Sequence, residues 1–147
     1  MISQKCQYAL RSVFELAKRS GSSPTPTSVL ASAQAIPARF LESILADLRR
    51  GGLVNSRRGA RGGYVLACEP ETLPVGRVIR LIEGPLSPVD CDQAEGGCAL
   101  SGGCAFMELW DRAQRAVEEV YDQTTFQDLI DREQAAGDHT SALDYCI

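Results

Sequence analysis

Histidine is nearly missing from this chain: His139 is the only one in 147 residues. Without a histidine beside a candidate nucleophile, the usual base of a hydrolytic triad is lacking. The sequence has no phosphate-binding glycine motif and no helical His-Glu-x-x-His pair. These absences point away from an enzyme. No apolar run approaches the roughly 20 residues of a membrane-spanning helix. The opening Met1-Ile-Ser-Gln-Lys-Cys-Gln lacks the apolar centre of a secretory signal. The expectation is a cytoplasmic protein with no membrane partner.

Charge is present in quantity but unevenly placed. The net charge is −4. Residues 1–66 carry ten Lys/Arg against three acids, and residues 67–147 carry five against sixteen. A basic half joined to an acidic half suggests a polyanion partner for one end only. With 44% hydrophobic residues the composition is that of an ordinary globular chain, long enough for one domain and an accessory element.

Apolar periodicity predicts a helix over 4–19, with Ala9, Leu10, Val13, Phe14, Leu16 and Ala17 on one face. The breaker cluster 21–26 ends it, and a short helix follows over 27–34. A third helix runs from Pro37 to about Arg50, with Phe40, Leu41, Ile44, Leu45 and Leu48 as its inward stripe. Gly51-Gly52 stops it. Two short strands, 53–57 and 63–67, flank a basic glycine-bearing tip. Three helices followed by a hairpin is the order of a winged helix-turn-helix. Residues 74–82 suit a further helix, and 84–103 form a loop without periodicity. A long helix is expected over 106–121, then a short one ending at Arg132, then a tail from Gly137. The expected fold is mainly α, with a small β-hairpin wing and a long C-terminal dimerisation helix. It divides into a winged domain at 1–83, a cysteine loop at 84–104, a dimerisation segment at 105–134 and a tail at 135–147.

In a helix-turn-helix the second helix of the motif lies in the major groove. Arg39 can donate two bonds to a guanine edge, and Glu42 can accept from cytosine N4. Ser43 shares their outward face. Arg57, Arg58 and Arg61 at the hairpin tip are placed for phosphates or a minor groove. Solvated arginines are the ordinary alternative, but helix order, turn, basic hairpin and charge asymmetry coincide. One such unit reads a half-site, so a homodimer on a palindromic operator is expected. The stripe Phe106, Leu109, Trp110, Ala113, Val117, Val120 and Tyr121 is the natural dimer surface.

Six cysteines are present, and three are clustered: Cys91, Cys98 and Cys104, with glycine pairs at 96–97 and 102–103 between them. Thiolates suit soft metal centres, and glycine lets a loop fold tightly around a bound object. Three thiols look like a ligand set one short.

Tyr8-Ala9-Leu10, Phe40-Leu41-Glu42, Leu45-x-x-Leu48-Arg49-x-Gly51-Gly52-Leu53-Val54 and Arg58-Gly59-x-x-Gly62-Gly63-Tyr64, followed by the three cysteines, resemble the Rrf-two family of winged-helix regulators. Its branches include IscR-like, NsrR-like and RirA-like proteins. The resemblance covers about residues 1–134. It implies DNA contacts by Arg39, Glu42, Ser43 and Arg58. It also implies an iron–sulfur cluster, 2Fe–2S or 4Fe–4S, on Cys91, Cys98 and Cys104. The implied function is a dimeric transcriptional regulator that senses iron, redox state or nitric oxide. Three positions depart from the pattern: Ser43 stands where IscR-like proteins carry a glutamine, Met107 where they place a histidine ligand, and Gln7 where NsrR-like proteins place an acid; the first cysteine gap is also six residues where IscR-like proteins have five. The expected fourth ligand is Cys6 of the partner subunit, with Asp90, Asp92 and Glu95 as alternatives. Rival readings are a zinc-bound or cluster-free regulator acting as a thiol switch. Neither cysteine gap has the close Cys-x-x-Cys spacing common in structural zinc sites.

Overall fold

The computed structural model describes residues 2–87, 89 and 104–143. Helix α1 (Gln4–Lys18) is capped by Ser3, whose Oγ accepts from the Cys6 N–H at 3.2 Å. Helix α2 (Thr27–Gln34) ends with Ala35 in the left-handed region at φ 49°. The N–H of Ile36 reaches back to the Ala31 carbonyl at 3.0 Å, closing the turn that ends α2. Helix α3 (Ala38–Arg50) begins one residue after Pro37 and closes in the same way. Gly52, at φ 71°, lets the Leu53 N–H bond the Leu48 carbonyl at 2.9 Å and the Gly52 N–H bond Arg49 at 3.0 Å.

Strands β1 (Val54–Arg57) and β2 (Gly63–Leu66) pair antiparallel, with Val54 opposite Leu66 and Arg57 opposite Gly63. A third participant, unmarked in the sequence, joins them. Thr25 bridges Tyr64 through two backbone bonds of 2.9 Å and is itself buried. A side chain at Gly63 would overlap the Thr25 carbonyl, so glycine is what permits this approach. The wing is therefore tied to the segment that opens α2.

A 3-10 turn at Pro70–Thr72 leads into α4 (Val75–Glu83), which starts just after the expected Pro74. Helix α5 (Met107–Gln123) is joined to α4 by Arg80, whose Nη1 and Nη2 meet Asp122 at 2.6 and 2.8 Å. Helix α6 (Phe126–Leu143) is far longer than the short helix expected to end at Arg132, and the supposed tail is helical as far as Leu143. Gly137 lies inside the helix, where its roughly 1 kcal/mol propensity penalty does not outweigh the rest.

One core is shared by all these parts. Leu16, Leu30, Leu41, Ile44, Leu45, Leu48, Leu53, Leu73 and Ile79 are buried with Phe126, which is fully enclosed. The α6 start is held there by backbone bonds from Val75 to the Thr124 carbonyl at 2.9 Å and from Phe126 to the Leu73 carbonyl at 3.1 Å. Among the described residues no single helix is long and apolar enough to cross a membrane.

Candidate nucleic-acid interface

Helices α2 and α3 meet at 114° across the turn at 35–37, within the roughly 90–120° of a helix-turn-helix. Leu41, Ile44, Leu45 and Leu48 turn inward, and Ala38, Arg39, Glu42 and Ser43 face solvent. The outward set expected of a reading helix is thus presented together. Ser43 Oγ donates to the Phe40 carbonyl at 3.2 Å, which leaves its lone pairs facing out as acceptors. Arg57, Arg58 and Arg61 are exposed on the wing.

Phe40 departs from expectation. Periodicity places it with the inward stripe, yet it is 43% exposed. Leu41 and Ile44 already fill the facing surface of α1, so the neighbouring ring lies at the edge of the interface. There it meets Tyr8 of α1, with ring centroids 6.2 Å apart.

Ion pairing separates the basic half into two populations. Lys5 and Arg50 both bond Asp47, at 2.6 and 3.0 Å. Lys18 and Arg19 bond Glu15, and Lys18 also reaches Glu133 at 3.0 Å. The Lys5 ammonium holds the Asp47 carboxyl below its ordinary value, with Arg50 adding to it. Among the described residues, none of Arg39, Arg49, Arg57, Arg58 and Arg61 meets a carboxylate. These five lie on α3 and the wing. Arg49 spans the two, its Nη1 donating to Ser56 Oγ at 3.2 Å. Arg49, Arg57 and Arg58 line a groove of about 470 Å³ that also receives Thr27, the first residue of α2. Cationic side chains beside a helix N-terminus favour an anion.

The cysteine site lies largely outside the described residues: Cys91 and Cys98, with Asp90, Asp92 and Glu95, fall there. Cys104 is half-buried at the approach to α5. Among the described residues no group of three His, Cys, Asp or Glu side chains gathers as a metal site. The donor set itself, three thiols within fourteen residues, has the chemistry an iron–sulfur cluster requires. Cys6, the expected fourth ligand, lies in the first turn of α1. It is fully buried in the core. Burial, with the nearby Glu83 carboxylate, pushes its thiol up to about 12. Glu83 in turn is held ionised by the Ser3 hydroxyl and N–H, at 2.5 and 2.9 Å.

The expected dimer stripe is split. Phe106, Leu109, Val117 and Val120 are exposed, with Val120 at 62%. Trp110 and Ala113 are half-buried, and Trp110 stacks on Phe106 at 6.1 Å. Tyr121 is half-buried against the core. No residue of α5 is buried. Beside it, Ile2, Glu83, Leu86, Val117 and Tyr121 line a cavity of about 360 Å³.

A helix-turn-helix with a basic wing and an unsatisfied apolar helix defines a winged-helix regulator. The match to known proteins is equally direct. The family model for Rrf2, described as an iron-dependent transcriptional regulator, matches residues 2–132. The HTH-type transcriptional regulator CymR of Bacillus subtilis (strain 168) is 43% identical over 128 residues, which is 87% of this chain and 88% of CymR. A solved structure of CymR, the global cysteine regulator of B. subtilis, aligns with a TM-score of 0.75 at 43% identity, covering 88% of this chain and 95% of that one. The structure of IscR from T. potens aligns with a TM-score of 0.77 at 32% identity, covering 92% and 90%. This chain belongs to the Rrf2 family of transcriptional regulators, and it is a regulator rather than an enzyme.

Proposed function

We propose that this protein is a cytoplasmic, homodimeric regulator that binds palindromic operator DNA and senses through an iron–sulfur cluster. The observation that carries the DNA reading is the sorting of cations. Among the described residues, six arginines of the basic half meet no carboxylate: five lie on α3 and the wing, where a duplex would lie, and the sixth, Arg11, donates to the Gln34 carbonyl. Arg39, Glu42 and Ser43 read base edges in the major groove. Arg49, Arg57, Arg58 and Arg61 take phosphates and the adjacent minor groove. Helix α5 pairs with its counterpart through Phe106, Leu109, Val117 and Val120, supported by Trp110, Ala113 and Tyr121. Burying that face offsets the cost of leaving it in water.

Cys91, Cys98 and Cys104 are the thiolates that would hold the cluster, whose chemistry supplies reactivity toward oxygen, nitric oxide or iron scarcity. The segment that bears them runs from Glu83, clasped to the N-cap of α1, to the start of α5. Rearrangement there bears on both the reading domain and the dimer helix, and half-site spacing is a strict geometric requirement.

A second reading draws on the 43% identity to CymR, described as a cysteine regulator. It makes the controlled genes those of cysteine supply, with the three thiols acting as a metal-free redox switch. Anaerobic purification with iron and sulfide counts and a visible spectrum separates the two. Iron and sulfide with a brown colour support the cluster; a colourless, iron-free protein whose operator affinity follows thiol oxidation supports the switch. The DNA interface is tested by Arg58→Ala, which should weaken binding to all duplexes and lower the salt slope by about one.

A further inference from the structure

We propose that Phe40 is a positioning residue for base readout, holding the Arg39 guanidinium over its ring so that Arg39 meets the duplex already oriented. This rests on the DNA-binding reading above. The Arg39 Cζ lies 4.7 Å from the Phe40 ring centroid, within the roughly 6 Å at which a cation is drawn to an aromatic face. Neighbouring residues on a helix do not ordinarily face one another. Here the long arginine folds back over the ring of the residue that follows it.

The ring is itself fixed from behind. Tyr8 of α1 packs against it at an interplanar angle of 34°. Gln4 donates to the Tyr8 hydroxyl at 3.1 Å. Arg11 lies 5.9 Å from the Tyr8 centroid and donates to the carbonyl of Gln34, the last residue of α2. Guanidinium, ring, ring and guanidinium thus form a continuous ladder, tied to all three helices of the motif. A half-exposed phenylalanine has a transfer cost in water, which contact with Tyr8 and Arg39 offsets in part. Arg39 meets no carboxylate among the described residues, so nothing there competes with the ring for its charge. A free arginine would have to order its side chain on meeting DNA. One already stacked keeps its planar donor fork available to a guanine edge at less cost.

The test uses the intact protein and a duplex that the wild type selects from a randomised pool. Affinity is measured at one fixed salt for that duplex and for a scrambled one. Phe40→Leu should weaken binding to the selected duplex about two- to fivefold, the range expected of an exposed cation–ring contact, and leave the scrambled duplex unchanged. The loss should fall at the base pair where Arg39→Ala has its effect. Phe40→Tyr should restore affinity, and Phe40→Leu should add nothing in an Arg39→Ala background. Equal loss on both duplexes, additivity with Arg39→Ala, or a loss at a different base pair overturns the proposal. Without DNA, the Arg39 δ-protons of the wild type should show an upfield ring-current shift, kept in Phe40→Tyr. Its absence overturns the stacking even if Phe40→Leu fails to fold. A wild type that selects no sequence overturns the operator-reading function itself, and that outcome is distinct from an absent ring-current shift.

Discussion

The thiol of Cys6 lies in the core beside Glu83, and its surroundings rather than its sequence position decide its chemistry. A thiol enclosed in its own core is shielded from reagents in solution. In native protein, Cys6 should resist iodoacetamide at pH 8 and be alkylated only on unfolding, as peptide mass spectrometry would record. Cys6→Ala should leave the visible spectrum of anaerobically prepared protein unchanged. Ala35 is the opposite case, an ordinary residue in an unusual conformation. Its left-handed φ of 49° strains an alanine but not a glycine. Ala35→Gly relieves a strain of about 1–2 kcal/mol and loosens the unfolded chain by a smaller amount, about 0.4–1 kcal/mol. A net gain of about 0.5–1 kcal/mol is expected in urea unfolding. Neither feature was legible in the sequence. A lone cysteine reads alike as ligand or core, and alanine carries no turn signal.

Among elements, α1 is the hub, and Glu15 joins it to its neighbours. Burial alone would raise this carboxyl. Hydrogen bonds from Gln34 at 2.9 Å and Arg19 at 2.7 Å, with the charges of Lys18 and Arg19, outweigh it and hold the group below its ordinary value. Lys18 is raised in turn, first by its hydrogen bond to Glu133 on α6. A carboxyl depressed in the folded state stabilises above its unfolded value, near 4.5. That contribution disappears as pH falls through the folded value. Glu15→Gln should therefore cost about 1–3 kcal/mol at pH 7, and the gap to wild type should close at pH 3 in denaturant titrations. Helices α1, α3 and α5 were legible because their apolar residues recur at helical spacing, and α2 and α4 from the breakers that flank them. The edge of the α3 stripe was not, since periodicity places Phe40 with Leu41 and cannot say where a neighbouring helix runs out. The Thr25 bridge escaped notice because Pro24 and Pro26 read as pure breakers.

Across the whole molecule, the boundary drawn in sequence between a winged domain and a dimerisation segment is crossed by packing. Phe126 follows the long helix in sequence but lies, fully buried, in the same core as Leu41 and Ile79. Phe126→Ala should cost about 3–5 kcal/mol, with reading helix and wing melting in a single transition with the rest in calorimetry. A residue confined to the exposed face of α5 would instead leave the winged part's melting unchanged. The charge asymmetry was fully legible. Which cations are spent on internal carboxylates was not, because Asp47 and Glu15 find their partners only through the folded contacts of α1.

The paired backbone bonds between Leu73–Val75 and Thr124–Phe126 have a consequence for how such a protein can diversify. Val78 and Ile79 of α4 remain in the core and Phe126 rejoins it, so the span from the end of α4 to these bonds is a detour anchored at both ends. Lengthening a closed detour costs only about 0.6 kcal/mol per doubling. The stretch that carries Cys91, Cys98 and Cys104 sits inside it. A detector placed there can be exchanged, enlarged or deleted while the DNA-reading machinery keeps its core, which leaves the input free to evolve separately from the output.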